Sequence, residues 1–139
     1  MSGKFAGDVS PKAAWNEIAD NGAAVLVDVR TGAEWSFVGL PDLSEIGRQV
    51  VAVEWQLFPG MARNTEFLSQ LVAEGVSPEN PVYLLCRSGA RSRQAARFLA
   101  EQGYTTYNVS DGFEGPLDSE GRRGTIAGWK AEGLAWKQS

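Results

Sequence analysis

Residues 84–92 read LLCRSGARS, and Cys86 within them is the only cysteine of the 139-residue chain. A lone cysteine at the end of an apolar run is ordinarily a small core residue. Several features set a second reading beside that one. Gly89 permits a tight turn from strand to helix, in which successive backbone N–H groups between Cys86 and Arg91 can point inward. Such a turn forms an anion-binding nest at a positive helix N-terminus. The same field favours the thiolate of a nearby thiol, which is its nucleophilic form. Between Pro81 and Ala100 the chain carries four arginines (Arg87, Arg91, Arg93, Arg97) and no acidic residue, although its net charge is −4. These surroundings favour a nucleophilic Cys86 offered to an anionic substrate.

What the chain lacks narrows the chemistry further. It has no histidine, so a Ser-His-Asp triad, a Cys-His pair and an ordinary zinc site are excluded, and no metal or other cofactor is implied. Any cysteine chemistry must activate the thiol without a histidine base. The acidic balance argues against a general nucleic-acid or anionic-membrane binder, whose affinity rests on clustered positive charge. No stretch approaches ~18 consecutive apolar residues, which excludes a membrane span. The first residues, MSGKFAGDVSPKAAW, lack the apolar core of a secretory leader. One cysteine forms no internal disulfide, so a reducing compartment, the cytoplasm, is expected.

Elements must hold that loop in place. Ser10 and Pro11 read as an N-cap and first-turn proline, opening a helix through about Asn21 with Ala14, Trp15 and Ile18 inward. AAVLVDV (Ala23 to Val29) is a nearly continuous apolar run, as in a parallel strand buried on both faces. A short helix around Ala33 to Phe37 and a strand QVVAVEW (Gln49 to Trp55) follow. Asn64 caps an amphipathic helix carrying Phe67, Leu68, Leu71 and Val72 and ending near Gly75. PVYLLC (Pro81 to Cys86) is a third strand, leading into a helix from Arg91 to Gln102 that Gly103 stops. TTYNV (Thr105 to Val109) is a fourth strand, and a last short helix is expected around Ile126 to Glu132. Strands alternating with helices imply an α/β fold, a mainly parallel sheet with helices on both faces. Ligands of such sheets lie beyond the carboxyl ends of the strands, where Cys86 falls.

CRSGARS resembles the active-site loop of rhodanese-type sulfurtransferases, with the catalytic cysteine first and an arginine sixth. VDVRTGAEW (Val27 to Trp35) resembles the family's second signature, and DGFEG…GW…GL (Asp111 to Leu134) its closing pattern. The likeness spans roughly Ser10 to Trp136. It implies a five-stranded parallel sheet in one rhodanese-like domain over residues 10–139, with 1–9 as an N-terminal extension. It also implies a Cys86 thiolate that takes a sulfane sulfur from a donor such as thiosulfate and passes it to cyanide, a thiol or a protein acceptor. Arg87 and Arg91 would bind the donor, and amides of Arg87, Ser88, Gly89, Ala90, Arg91 and Ser92 would stabilise the persulfide. Asp28 and Arg30 would form a supporting ion pair, and Glu34 with Trp35 would anchor the short helix. The resemblance sets no oligomeric state.

Two segments depart from the family pattern. GLPDLSEIG (Gly39 to Gly47) lacks a structural histidine that many relatives carry. The stretch from Gly115 to Gly124 is longer than usual and is expected to be a surface loop. The tryptophans (Trp15, Trp35, Trp55, Trp129, Trp136) are expected in core and rim packing, with Phe37, Phe113 and Trp35 as candidates to wall the pocket mouth.

Cysteine phosphatases place five residues between their cysteine and arginine. Here Ser92 stands at that position, with Arg91 one residue early and Arg93 one late, which favours sulfur over phosphate. Asp28 or Asp111 would have to supply a phosphatase's general acid. Arsenate reduction lacks a second cysteine to resolve its intermediate. A non-catalytic interaction module and a redox sensor complete the alternatives. Retention of the cysteine speaks against the first, while exposed thiolates suit the second.

Overall fold

A computed structural model describes residues 5–57 and 60–138. Five parallel strands form the main sheet in the order β1-β8-β7-β2-β4. They are β1 (Gly7–Val9), β2 (Val25–Asp28), β4 (Val51–Ala52), β7 (Val82–Leu85) and β8 (Thr106–Val109). Helices α1 (Pro11–Asp20), α2 (Gly32–Val38), α3 (Phe67–Ala73) and α4 (Ala90–Glu101) connect them. Two small antiparallel pairs complete the fold: β3 (Leu40–Pro41) with β9 (Trp136–Lys137), and β5 (Gln56–Leu57) with β6 (Ala62–Arg63).

Alternation along the central strands explains why helices cover both faces. Val82, Leu84 and Cys86 point into a cluster with Phe67 and Leu71 of α3 and Ala95, Ala96 and Leu99 of α4. Tyr83 and Leu85 point the other way, joining Ala14 and Ile18 of α1 with Phe113 and Trp129. Every residue of β7 is therefore buried, and the strand reads as a continuous apolar run for that reason. Ser10 caps α1 as the sequence predicts, its side chain accepting from the Ala13 N–H. Among the described residues no helix is long and apolar enough to cross a membrane.

Several expectations are corrected. The boundary drawn between residues 9 and 10 cuts off a strand of the sheet, because β1 pairs along β8 with Asp8 opposite Asn108. A three-residue GDV strand carries no periodicity to reveal it. Only Val51–Ala52 of the predicted Gln49–Trp55 strand is regular, although the Val53 and Trp55 N–H groups still donate to Asp28 and Val29 beside β2. The helix expected around Ile126–Glu132 is a run of turns. Gly128 is left-handed there, in contact with the Gly115 backbone, while the N–H groups of Trp129 and Lys130 donate to Gly112 and Phe113 rather than along a helix. Residues 115–124 form the expected surface loop, folded around the Asp118 carboxylate, which accepts from the Glu120 and Arg122 N–H groups and from the Thr125 hydroxyl.

The segment without its histidine is held by backbone pairing, β3 to β9, and by Arg30, whose Nη2 donates to the Gly39 carbonyl at 2.7 Å. Arg30 is wholly buried, paired with the equally buried Asp28 at 2.7 Å and stacked 4.3 Å over the Phe113 ring. Asp28→Ala would leave that guanidinium uncompensated, and is expected to cost about 3–5 kcal/mol in urea unfolding. A loss under about 1 kcal/mol would show that Arg30 relaxes into water instead.

Candidate active site

β7 ends at Leu85 and α4 begins at Ala90, so Cys86 to Gly89 form the turn between them. Gly89 makes this turn with φ +116°, a conformation L side chains rarely adopt. It aims its N–H at Cys86 Sγ, 3.1 Å away, and Ser92 Oγ lies 3.3 Å from the same sulfur. The thiol thus sits under the first turn of a 12-residue helix, where the dipole favours negative charge. Cys86 is only 1% exposed: it packs in the core while its sulfur accepts from the Gly89 N–H.

The other side of the loop is held by the closing motif. The Phe113 N–H donates to the Cys86 carbonyl at 2.8 Å, and the Glu114 and Gly115 N–H groups donate to the Arg87 carbonyl at 3.0 and 3.1 Å. Asp111 and Gly112 are both left-handed, at φ 64° and 60°, to bring those amides into line. Two carbonyls are thus turned onto this brace, while the Gly89 N–H is donated to the sulfur.

The candidate binding residues divide into two groups. Arg87, Ser88 and Ala90 are exposed at the rim, whereas Gly89 and Ser92 are buried against the sulfur. Arg91 does not stand free, since its guanidinium is gripped by both oxygens of Glu34 at 2.7 and 2.9 Å. Glu34 in turn caps α2, its Oε1 accepting from the Thr31 N–H at 3.1 Å and Thr31 donating its hydroxyl at 3.2 Å. One carboxylate therefore fixes both the start of α2 and the position of Arg91. Asp28 and Arg30 stay one layer below, as support.

Between α2, the β5–β6 hairpin and the loop lies a groove of about 460 Å³, walled by Ala33, Phe37, Val38 and Met61 with Gln56 and Arg87 at its polar side. Phe37 reaches it, 84% exposed. The other two candidates for the mouth do not: Phe113 is fully buried under Arg30, and Trp35 lines a separate hollow beside β4. Trp55 and Trp129 are core, and the remaining tryptophans pack at its margin. The sequence reading missed Met61, held left-handed at φ 57°, and two polar residues behind the sulfur, Asn108 and Asp8. Asn108, a buried polar residue inside an apolar strand, was the signal available.

A parallel five-stranded sheet with a cysteine at the carboxyl end of its central strand, turned into the start of a helix, is the rhodanese-like fold. The chain belongs to the family described as the STR4 middle domain, which matches residues 6–139. It is similar to the crystal structure of Rv0390 from M. tuberculosis, with a TM-score of 0.88 and 51% identity over 98% of this chain and 100% of that one. It is also similar to the polysulfide-sulfur transferase homodimer of Wolinella succinogenes, with a TM-score of 0.65 and 25% identity over 97% of this chain and 80% of that one. Thiosulfate sulfurtransferase GlpE of Actinobacillus pleuropneumoniae is 30% identical over 78% of this chain and 83% of its own length.

Burial raises the Glu34 carboxyl, but hydrogen bonds from Arg91 and the Thr31 N–H, with the charges of Arg91 and Arg30, outweigh it and hold the group below the ordinary carboxylate range. Arg91 is correspondingly raised, chiefly by its Glu34 hydrogen bond against the opposing effect of burial. A carboxyl depressed on folding contributes stability above its unfolded value, about 4.3 for Glu, and loses it as pH falls through the lower folded value. Glu34→Gln is therefore expected to lose about 1.5 kcal/mol near neutral pH. The gap from wild type should narrow as pH drops below about 4, which urea unfolding across pH would follow. A gap unchanged in acid would assign the loss to packing.

Proposed function

We propose that this protein is a sulfurtransferase that carries sulfane sulfur as a Cys86 persulfide. The observation that carries the reading is the Cys86 sulfur held under the α4 N-terminus, with the Gly89 N–H donated to it and Arg87 at the rim. The GlpE and polysulfide-sulfur transferase relatives support the same class. In the first step the Cys86 thiolate attacks the outer sulfur of thiosulfate. The S–S bond of the donor breaks, its electron pair leaves with sulfite, and an anionic persulfide remains. In the second step cyanide or a thiolate attacks that outer sulfur, and the Cys86 thiolate is released.

Neither step needs a strong base when the cysteine reacts as thiolate, which suits a chain with no histidine. The outer sulfur of the persulfide inherits the negative charge, and loop N–H groups at a helix N-terminus stabilise charge at such a site. Arg87 and Arg91 draw the anionic donor to the rim, and the groove receives a thiol or a protein acceptor. The proposed compartment is the cytoplasm, and nucleic acid is not among the proposed partners of an acidic chain.

The phosphatase alternative is disfavoured by two observations. Ser92 occupies the position of the phosphatase arginine and is buried against the sulfur, while Arg91 is turned to Glu34.

Mass spectrometry after incubation with thiosulfate should find one added sulfur atom on Cys86, absent in Cys86→Ser together with turnover to cyanide. A chain that gains no sulfur, and turns over equally well as Cys86→Ser, would sink the reading. Arg91→Ala should raise the half-saturating thiosulfate concentration about tenfold or more, the size of a lost charge-assisted hydrogen bond. Unchanged saturation would show that loop amides and Arg87 suffice.

A further inference from the structure

Behind the sulfur, polar side chains form a line from Cys86 to the edge of the sheet. The Ser92 hydroxyl is 3.3 Å from Cys86 Sγ and makes a short hydrogen bond to Asn108 Oδ1, with the Gly89 carbonyl a third neighbour at 3.2 Å. Asn108 Nδ2 donates to Asp8 Oδ1 at 2.9 Å, and Arg93 Nη2 donates to the same oxygen at 3.1 Å. Ser92 and Asn108 are fully buried, so water does not substitute for either partner. Asp8 and Asn108 are opposite one another in the β1–β8 register, which keeps their side chains adjacent.

The line has a direction. A carboxylate only accepts, so Asp8 takes the Asn108 NH₂ and turns the amide oxygen toward Ser92. Asp8 stays ionised, its carboxyl held below the usual range by the Asn108 hydrogen bond and, against some burial, by Arg93 and the charge of Arg97. The amide oxygen also only accepts, so it claims the single proton of the Ser92 hydroxyl. Ser92 then presents a lone pair to Cys86, suited to accept from a thiol S–H and unable to donate to a thiolate. When that proton swings to the sulfur, Asn108 Oδ1 becomes a buried acceptor without a donor, which is unfavourable.

We propose that Asp8 and Asn108 are positioning residues that compete with Cys86 for the Ser92 proton and so restrain formation of the thiolate. On ionisation the S–H proton leaves to a solvent base and the Ser92 O–H rotates from Asn108 to Sγ. No electron changes hands. The proposal rests on Cys86 as the reacting thiol, and its readout uses no sulfur donor.

Asp8→Asn keeps the size of the side chain and removes the charge that orients Asn108. The Asn108 amide can then turn its NH₂ to Ser92, releasing the hydroxyl proton to the sulfur. At one fixed pH, on the acid side of neutral, iodoacetamide should alkylate Cys86 of Asp8→Asn about tenfold faster than wild type, the scale of one hydrogen bond to a charged group. Ultraviolet thiolate absorbance should rise in parallel, Asp8→Glu should stay near wild type, and Ser92→Ala in the Asp8→Asn background should erase the gain. Asp8→Asn alkylated no faster than wild type overturns the proposal. So does a gain that survives Ser92→Ala, since loosened packing would give that result. A Cys86 that alkylates as expected yet takes no sulfur from thiosulfate would remove the proposed function and leave this one standing.

Discussion

The Cys86 loop lies so close to the backbone at Gly112 that no Cβ fits between them: one placed there would stand 2.4 Å from the Cys86 carbonyl oxygen and 2.6 Å from the Arg87 carbonyl carbon. Everything about the site depends on that approach. It lets the amides of Phe113, Glu114 and Gly115 take the loop carbonyls from one side while α4 starts on the other. The carbonyls of Cys86 and Arg87 are turned to the brace, and the Gly89 N–H is turned to the sulfur. The closing glycine-rich motif, remote in sequence from the cysteine, is thereby the brace of the Cys86 loop.

The charge of the site is smaller than its arginine count suggests. Of the four arginines near Cys86, Arg91 is paired with Glu34, Arg93 with Asp8, and Arg97 lies 5.9 Å over the Phe5 ring. Arg87 and Arg97 are both exposed with no ion pair among the described residues, and of these two only Arg87 lines the groove. The mouth therefore offers one free guanidinium beside an apolar groove, with a second held in a half-buried pair. Attraction of an anion to such a place is local, and the acidic surface elsewhere does not compete with it at distances beyond the Debye length of about 10 Å.

Apolar runs and turn residues carried most of the fold. PVYLLC had to be a strand buried on both faces, SGARS had to turn into a helix, and Ser10-Pro11 had to open one, because each rests on short-range steric and hydrogen-bond rules. The failures share one cause. β1 is three residues that become a strand only by pairing with β8, and the turns at 126–132 resemble a helix until Gly128 meets Gly115 across the site. Glu34 was legible as the anchor of α2, yet its grip on Arg91 was not, because that contact spans 57 residues.

By itself the sequence determined a single cysteine with no histidine anywhere in the chain, placed at a strand-to-helix turn with Ser92 where a phosphatase arginine would stand. Composition and local spacing suffice for that, since they act within a few residues. Tertiary structure decided how the sulfur is surrounded. It buried Cys86, assigned Arg91 to Glu34, and set Asn108 and Asp8 behind Ser92. Each of these is a pairing between distant segments whose partners become neighbours only when the parallel sheet closes.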